Sequence, residues 1–191
     1  MSSPVLLALA LVLLWSPLWM MRAKGTRLSG FDQRTWPRGR LLALAMVDVI
    51  RASVGVWALM QVLPDLPTIL PVGAWQAPAF LALAIGVGLV VETLSWRDDD
   101  YVLAPVPFLL GAVSAAAHPI VLVIVLPLWI GGSLALRSWA SGILALGLGL
   151  GGVGLAVSQQ DWRRAALVGM ASALPVLASI MAGRHMGWPK K

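Results

Sequence analysis

Long apolar runs separated by short polar segments constrain this chain more than any other feature of its sequence. Seven runs approach the roughly 20 residues that a helix needs to cross the hydrocarbon core of a bilayer. The chain is also 59% hydrophobic and only 12% charged, which is too apolar for a soluble core of 191 residues. The sequence therefore predicts an all-α, polytopic membrane helix bundle, with residues 1–191 in a single integral membrane domain. The seven expected spans are residues 4–21, 41–63, 76–96, 102–117, 119–136, 139–157 and 165–182.

The fourth and fifth runs are short for two complete crossings. They share residues 102–136 and meet at His118 and Pro119. We expect two short helices joined by a tight turn, with a partly re-entrant hairpin as the alternative.

The distribution of Lys and Arg predicts the orientation of the bundle, because short loops rich in these residues stay on the cytoplasmic side. Six of the fourteen cations lie between the first and second runs: Arg22, Lys24, Arg27, Arg34, Arg38 and Arg40. With this loop inside, seven spans leave only Arg163 and Arg164 on the outer side. We therefore expect the N-terminus outside and the C-terminus in the cytoplasm, in a multi-pass protein of a bacterial-type inner membrane.

The net charge of +6 has a membrane explanation, since the cations flank apolar runs and can meet anionic lipid headgroups. Membrane lipids are thus the expected partners, and nucleic acid is not. The chain has no cysteine, so disulfides and thiolate chemistry are excluded. His118 and His185 lack the neighbouring ligands of a haem or zinc site, so no metal and no cofactor is expected.

Asp48 and Arg51 are the strongest local signal, because two ionisable residues interrupt an apolar run. Their spacing of three puts them on one helical face, where carboxylate and guanidinium can pair. Counted from Leu41, Arg51 lies roughly 15 Å along the helix, near the middle of the bilayer. The pair either faces a substrate or joins helices as a neutralised ion pair. Glu92 lies one turn before Trp96, and we expect it to reach the headgroup region.

Residues 149–154 match the dinucleotide-binding pattern G-x-G-x-x-G. That fingerprint requires a preceding strand and a soluble crevice, whereas these glycines lie within an apolar run. Gly147 and Gly151 instead have the spacing that lets two helices pack closely. The sequence therefore predicts a helix contact here.

The second run resembles a motif of the acyl-phosphate:glycerol-3-phosphate acyltransferase family (PlsY), in which an apolar run leads into D-x-x-K-G. Asp48 stands at the Asp of that motif, Arg51 replaces the Lys and Ala52 replaces the Gly. Upstream, Gly25 and Arg34 match two positions of the family motif S-G-N-x-G-A-T-N-x-x-R. The chain length and the seven spans are also similar to that family.

The third motif of that family, a glycine- and lysine-rich phosphate cradle, is replaced here by residues 92–101 with aspartates at 98–100. These aspartates would repel a phosphate. The resemblance implies acyl transfer to glycerol 3-phosphate in phospholipid synthesis. Because the family motifs are degenerate in this chain, the resemblance does not decide whether the chain is catalytic.

In this interpretation Arg34, Asp48 and Arg51 would bind a phosphorylated small-molecule substrate, and no residue is assigned a catalytic role. One alternative is a non-catalytic accessory or lipid-binding membrane subunit on the same scaffold. A second is a small transporter with Asp48, Arg51 and Glu92 along its pathway.

Overall fold

The computed structural model describes residues 3–16, 38–65, 76–95, 101–136, 138–157 and 162–187. Helices dominate these residues, as the sequence predicts, and every expected span contains helix. The helices are α1 (Ser3–Trp15), α2 (Arg38–Val62), α3 (Gln76–Ser95), α4 (Val106–Ala116), α5 (Pro119–Ala135), α6 (Trp139–Val157), α7 (Trp162–Ser172) and α8 (Leu174–Met181).

Four stretches of helix are long and apolar enough to cross a membrane: Ala45–Asp65, Gln76–Leu94, Trp139–Val157 and Trp162–Met181. The first, fourth and fifth runs form shorter apolar helices. Large apolar side chains also point outward, among them Leu148 at 79% exposed and Met181 at 89% exposed. Such an outer surface suits contact with lipid rather than water.

The fourth and fifth runs form two short helices, α4 and α5, joined by a tight turn, as the sequence predicts. His118 caps α5, since its Nδ1 atom accepts a hydrogen bond from the backbone N–H of Ile120. Pro119 follows at the first helical position, where its missing N–H costs nothing.

The expected start of the fourth span was wrong, because Tyr101–Leu103 form a short strand, β1, instead of helix. This strand pairs in parallel with β2 (His185–Gly187) near the C-terminus. Gly183 precedes β2 with a φ of 64°, and this left-handed residue ends α8 and turns the chain toward β1. The two strands link the segment after α3 to the segment after α8.

The seventh expected span is interrupted. It forms α7 and α8, with a turn at Ala173. Pro175 lies at the start of α8. Because proline has no backbone N–H, it cannot continue the backbone hydrogen bonds of α7. The two helices still make one apolar stretch of 20 residues, Trp162–Met181.

The buried core contains residues from all eight helices. Its largest fully buried side chains include Leu14, Leu59, Ile85 and Phe108. α1 packs on α2 and α3, and α2 packs on α4. These contacts are close because Gly88 faces both the backbone carbonyl of Leu14 and the ring of Phe108.

A second set of contacts joins α5 to α6, α6 to α7, and α7 to α3. A Cβ atom at Gly147 would lie 2.6 Å from the carbonyl oxygen of Gly169, and one at Gly169 would lie 2.5 Å from that of Gly147. The predicted helix contact at the glycine-rich run is therefore confirmed. Its partner is α7, and residues 149–154 lie within α6.

Two tryptophans of the apolar runs differ in burial. Trp129 of α5 packs in the interior and is only 2% exposed, whereas Trp57 of α2 is 58% exposed and points out of the bundle.

Candidate functional site

Asp48 and Arg51 lie on one face of α2, and both are almost completely buried. Arg51 donates to the same carboxylate oxygen twice: Nε lies 3.1 Å and Nη2 lies 2.6 Å from Asp48 Oδ1. The predicted ion pair is therefore confirmed. The spacing of three residues along a helix produces it locally, without help from the rest of the fold.

Glu92 of α3 brings a second carboxylate to the same guanidinium. Arg51 Nη2 donates to Glu92 Oε1, and Glu92 is 3% exposed. The expectation that Glu92 reaches toward the headgroups is wrong, because the packing of α3 against α1 and α2 turns this side chain into the bundle. Asp48, Arg51 and Glu92 are called the charge cluster below.

Two further groups surround the guanidinium. Arg51 Nη1 donates to the backbone carbonyl of Ser16, directly after α1, with a donor–acceptor distance of 2.5 Å. A cation is favoured there because the C-terminal end of a helix carries partial negative charge. The ring of Phe108 on α4 lies 5.3 Å from Arg51 Cζ, within cation–π range. One side chain thus contacts α1, α2, α3 and α4.

The charge cluster lies near one end of the bundle. Ser16 follows α1, Glu92 is three residues before the end of α3, and Phe108 is near the start of α4. Arg51 itself lies 13 residues after the first residue of α2 and six residues after Ala45, where the apolar stretch of that helix begins.

The cluster contains two carboxylates and one guanidinium, so its formal charge is −1 when all three groups are ionised. Glu92 Oε2 is buried and has no hydrogen-bond partner among the described residues. The guanidinium, in contrast, donates to two carboxylates and one carbonyl. A phosphate approaching Arg51 would have to displace these acceptors and would meet two negative charges.

The structure brings together two of the three predicted substrate-binding residues, Asp48 and Arg51. Arg34 lies outside the described residues, as do the aspartates at 98–100. Sequence reasoning left Glu92 out of the substrate-binding set and grouped it with Asp48 and Arg51 only in the transporter alternative. Glu92 stands out in the sequence as an ionisable residue within an apolar run. Its position along that run, however, does not show which neighbouring helix its side chain faces. In the described part of the chain, no three His, Asp or Glu side chains lie together as metal ligands would.

Comparisons of this chain with protein-family models, with curated proteins and with solved structures find no match. The site must therefore be interpreted from its own geometry. That geometry is a buried arginine held by two carboxylates from neighbouring helices.

Proposed function

We propose that this chain is a non-catalytic, lipid-binding membrane protein on a PlsY-like scaffold, an accessory subunit rather than an acyltransferase. In this proposal it crosses a bacterial-type inner membrane seven times, with the N-terminus outside and the C-terminus inside. The observation that carries the proposal is that the guanidinium of Arg51 is already paired with the carboxylates of Asp48 and Glu92.

The occupied guanidinium supports a structural role. An acyltransferase of this type needs cationic groups and N–H donors that can take up phosphate charge as the reaction proceeds. Arg51 is 7% exposed and already neutralised. Releasing it would leave two buried carboxylates without their counter-charge, at a cost of about 3 to 5 kcal/mol.

Lipid binding is supported by the sequence and by the outer surface. Six cations occur between residues 22 and 40, and an anionic membrane surface attracts each such residue by about 1 kcal/mol. The helices present large apolar side chains outward. Anionic lipids are therefore the partners that match the chain best.

Acyl transfer to glycerol 3-phosphate is the competing function. In its favour, Arg51 contacts the carbonyl of Ser16, which comes shortly before the basic residues in the sequence. In that function Arg34, Asp48 and Arg51 would bind the phosphorylated substrate, and Arg51 would have to exchange a carboxylate for a phosphate.

A direct assay separates the two functions. Purified protein is reconstituted in liposomes with acyl phosphate and labelled glycerol 3-phosphate, and the acylated product is counted against protein-free liposomes. We expect no product above that background. Turnover by the wild-type protein that is lost in Arg51→Ala and kept in Arg163→Ala would overturn the non-catalytic proposal.

The proposed lipid binding is tested in a separate experiment. Binding of the detergent-purified protein to anionic and zwitterionic nanodiscs is compared at low and high salt. We expect a preference for the anionic discs that salt weakens. A triple variant, Arg34→Gln, Arg38→Gln and Arg40→Gln, should lose most of it. Equal binding of wild type and triple variant would contradict lipid recognition by this segment.

A further inference from the structure

One atom of the charge cluster is left out of its ion pairs. Oε2 of Glu92 is buried and has no hydrogen-bond partner among the described residues. The other oxygen of the same carboxyl group, Oε1, accepts a hydrogen bond from Arg51 Nη2. A buried carboxylate with one unpaired oxygen is far more costly than a neutral carboxylic acid with one unpaired O–H group, because burial penalises charge most. The free oxygen of Glu92 is therefore a place for a proton.

The two carboxyl groups of the cluster also share one nitrogen atom. Arg51 Nη2 donates to Asp48 Oδ1, at 2.6 Å, and to Glu92 Oε1. The two acceptor oxygens are consequently close neighbours, and one guanidinium balances only one of the two negative charges. When two carboxyl groups are held this close together, one of them binds a proton more readily than an isolated group does.

The hydrogen bonds indicate which carboxyl group takes the proton. Asp48 Oδ1 accepts from both Nε and Nη2 of Arg51, and such bonds favour the ionised form of a carboxyl group. The carboxyl group of Glu92 accepts from Nη2 only. A proton on Oε2 leaves this bond intact, because Oε1 remains the acceptor. The protonated cluster is then neutral, with Asp48 and Arg51 as a balanced pair.

Asp48 and Arg51 are the charged groups that face Glu92 in the part of the chain that the structure describes. Helix α3 packs against α1, α2, α4, α7, α8 and β1, and of these α1, α4 and α8 contain no titratable side chain. The remaining titratable residues on the packed elements are Arg38, Arg40, Arg163, Arg164 and Tyr101. Arg40 is eight residues before Asp48, about 12 Å along α2. Arg164 contacts Met60, which is nine residues beyond Arg51.

We propose that the charge cluster is a proton-binding site, with Oε2 of Glu92 as the atom that binds the proton and Asp48 as the lasting counter-charge of Arg51. The fully ionised cluster, with its formal charge of −1, is the deprotonated form of this site. Binding of the proton removes the unbalanced charge between α2 and α3, so pH acts directly on the contact between these helices. The site does not depend on the proposed lipid binding.

An isotope label can report this site alone, because Glu92 is the only glutamate in the chain. Protein made by cell-free synthesis with ¹³C-labelled glutamate is reconstituted in liposomes and compared with unlabelled protein by infrared difference spectroscopy. At about pH 6, where an exposed glutamate is ionised, we expect a label-sensitive carbonyl band of a protonated carboxylic acid. The band should be lost reversibly at about pH 10 and be absent from Glu92→Gln. A label-sensitive carboxylate band at pH 6, or an acid band that does not respond to pH, would overturn the proposal.

Amide variants test whether the proton lies on Glu92 or on Asp48. In Glu92→Gln the amide oxygen can still accept from Arg51 and the amide N–H groups stand in for the acid O–H. We expect its folding equilibrium constant at about pH 6, measured by denaturant unfolding in mild detergent, to stay within about threefold of the wild type. Asp48→Asn removes the counter-charge of Arg51 and should lower that constant by about a hundredfold or more. A loss in Glu92→Gln as large as that in Asp48→Asn would contradict the assignment, and the infrared measurement on the wild-type protein remains decisive if a variant fails to fold.

Discussion

Arg51 of α2 donates a hydrogen bond to Glu92 of α3, across 41 positions of the sequence. Together with the local bond from Arg51 to Asp48, this contact places three ionisable side chains inside an apolar bundle. A buried ion pair adds little net stability when it is complete, because desolvation offsets the attraction. Its loss is costly when only one partner is removed. We therefore expect the arrangement to specify how α1 to α4 meet more than it stabilises them.

Replacing Arg51 with methionine should destabilise the protein strongly. The two carboxylates would remain buried without a counter-charge, and the expected loss in the free energy of unfolding is about 3 to 5 kcal/mol. Unfolding by denaturant in mild detergent, followed by circular dichroism, measures the loss. Arg163→Met is the control and should change the free energy by less than about 1 kcal/mol, because Arg163 is half-buried beside Trp162. Equal losses for both variants would rule out a special role for Arg51.

Two glycines of α6 should respond to alanine in opposite directions. Gly147→Ala puts a methyl group 2.6 Å from the carbonyl oxygen of Gly169 and should destabilise the protein by about 1 to 3 kcal/mol. Gly152→Ala meets no atom within 4 Å and should stabilise by up to about 1 kcal/mol, since alanine favours helix. The same unfolding assay compares them. A neutral Gly147→Ala would contradict the close contact between α6 and α7.

The proposed seven-span topology predicts opposite accessibility at positions 30 and 65. The chain has no native cysteine, so Gly30→Cys and Asp65→Cys each report one site only. In intact cells a membrane-impermeant maleimide should label position 65, and position 30 should be labelled only after the membrane is opened. Labelling of both positions from the same side would contradict the odd number of crossings between them.

The local parts of this structure follow from the sequence. Helix periodicity places Asp48 and Arg51 on one face, and the spacing of Gly147 and Gly151 predicts a close helix contact. Both depend only on residues that are close together in the sequence, and so they do not depend on how the rest of the chain folds. The helical class follows for the same reason, since apolar runs of this length satisfy their backbone groups internally.

Long-range contacts were not predictable in the same way. Glu92 joins the charge cluster only because α3 packs against α1 and α2, and no local pattern encodes which face of α3 turns inward. The strand at Tyr101–Leu103 was missed because its partner is His185–Gly187, at the far end of the chain. A segment of three residues is too short for the spacing of its apolar residues to distinguish a strand from a helix. The interruption near Ala173 did have a local signal, in Pro175.

The most direct test of the central claim is a double-mutant cycle between Arg51 and Glu92, using Arg51→Met, Glu92→Leu and the double variant. Arg51→Met leaves two buried carboxylates without a counter-charge, whereas Glu92→Leu leaves the neutral pair of Asp48 and Arg51. The double variant leaves only one unpaired carboxylate, so it should lose less than the sum of the two single changes. We expect a coupling free energy of about 1 to 3 kcal/mol in denaturant unfolding. Additivity within about 0.5 kcal/mol would show that Arg51 and Glu92 act independently, and would contradict the assignment of Glu92 to the charge cluster.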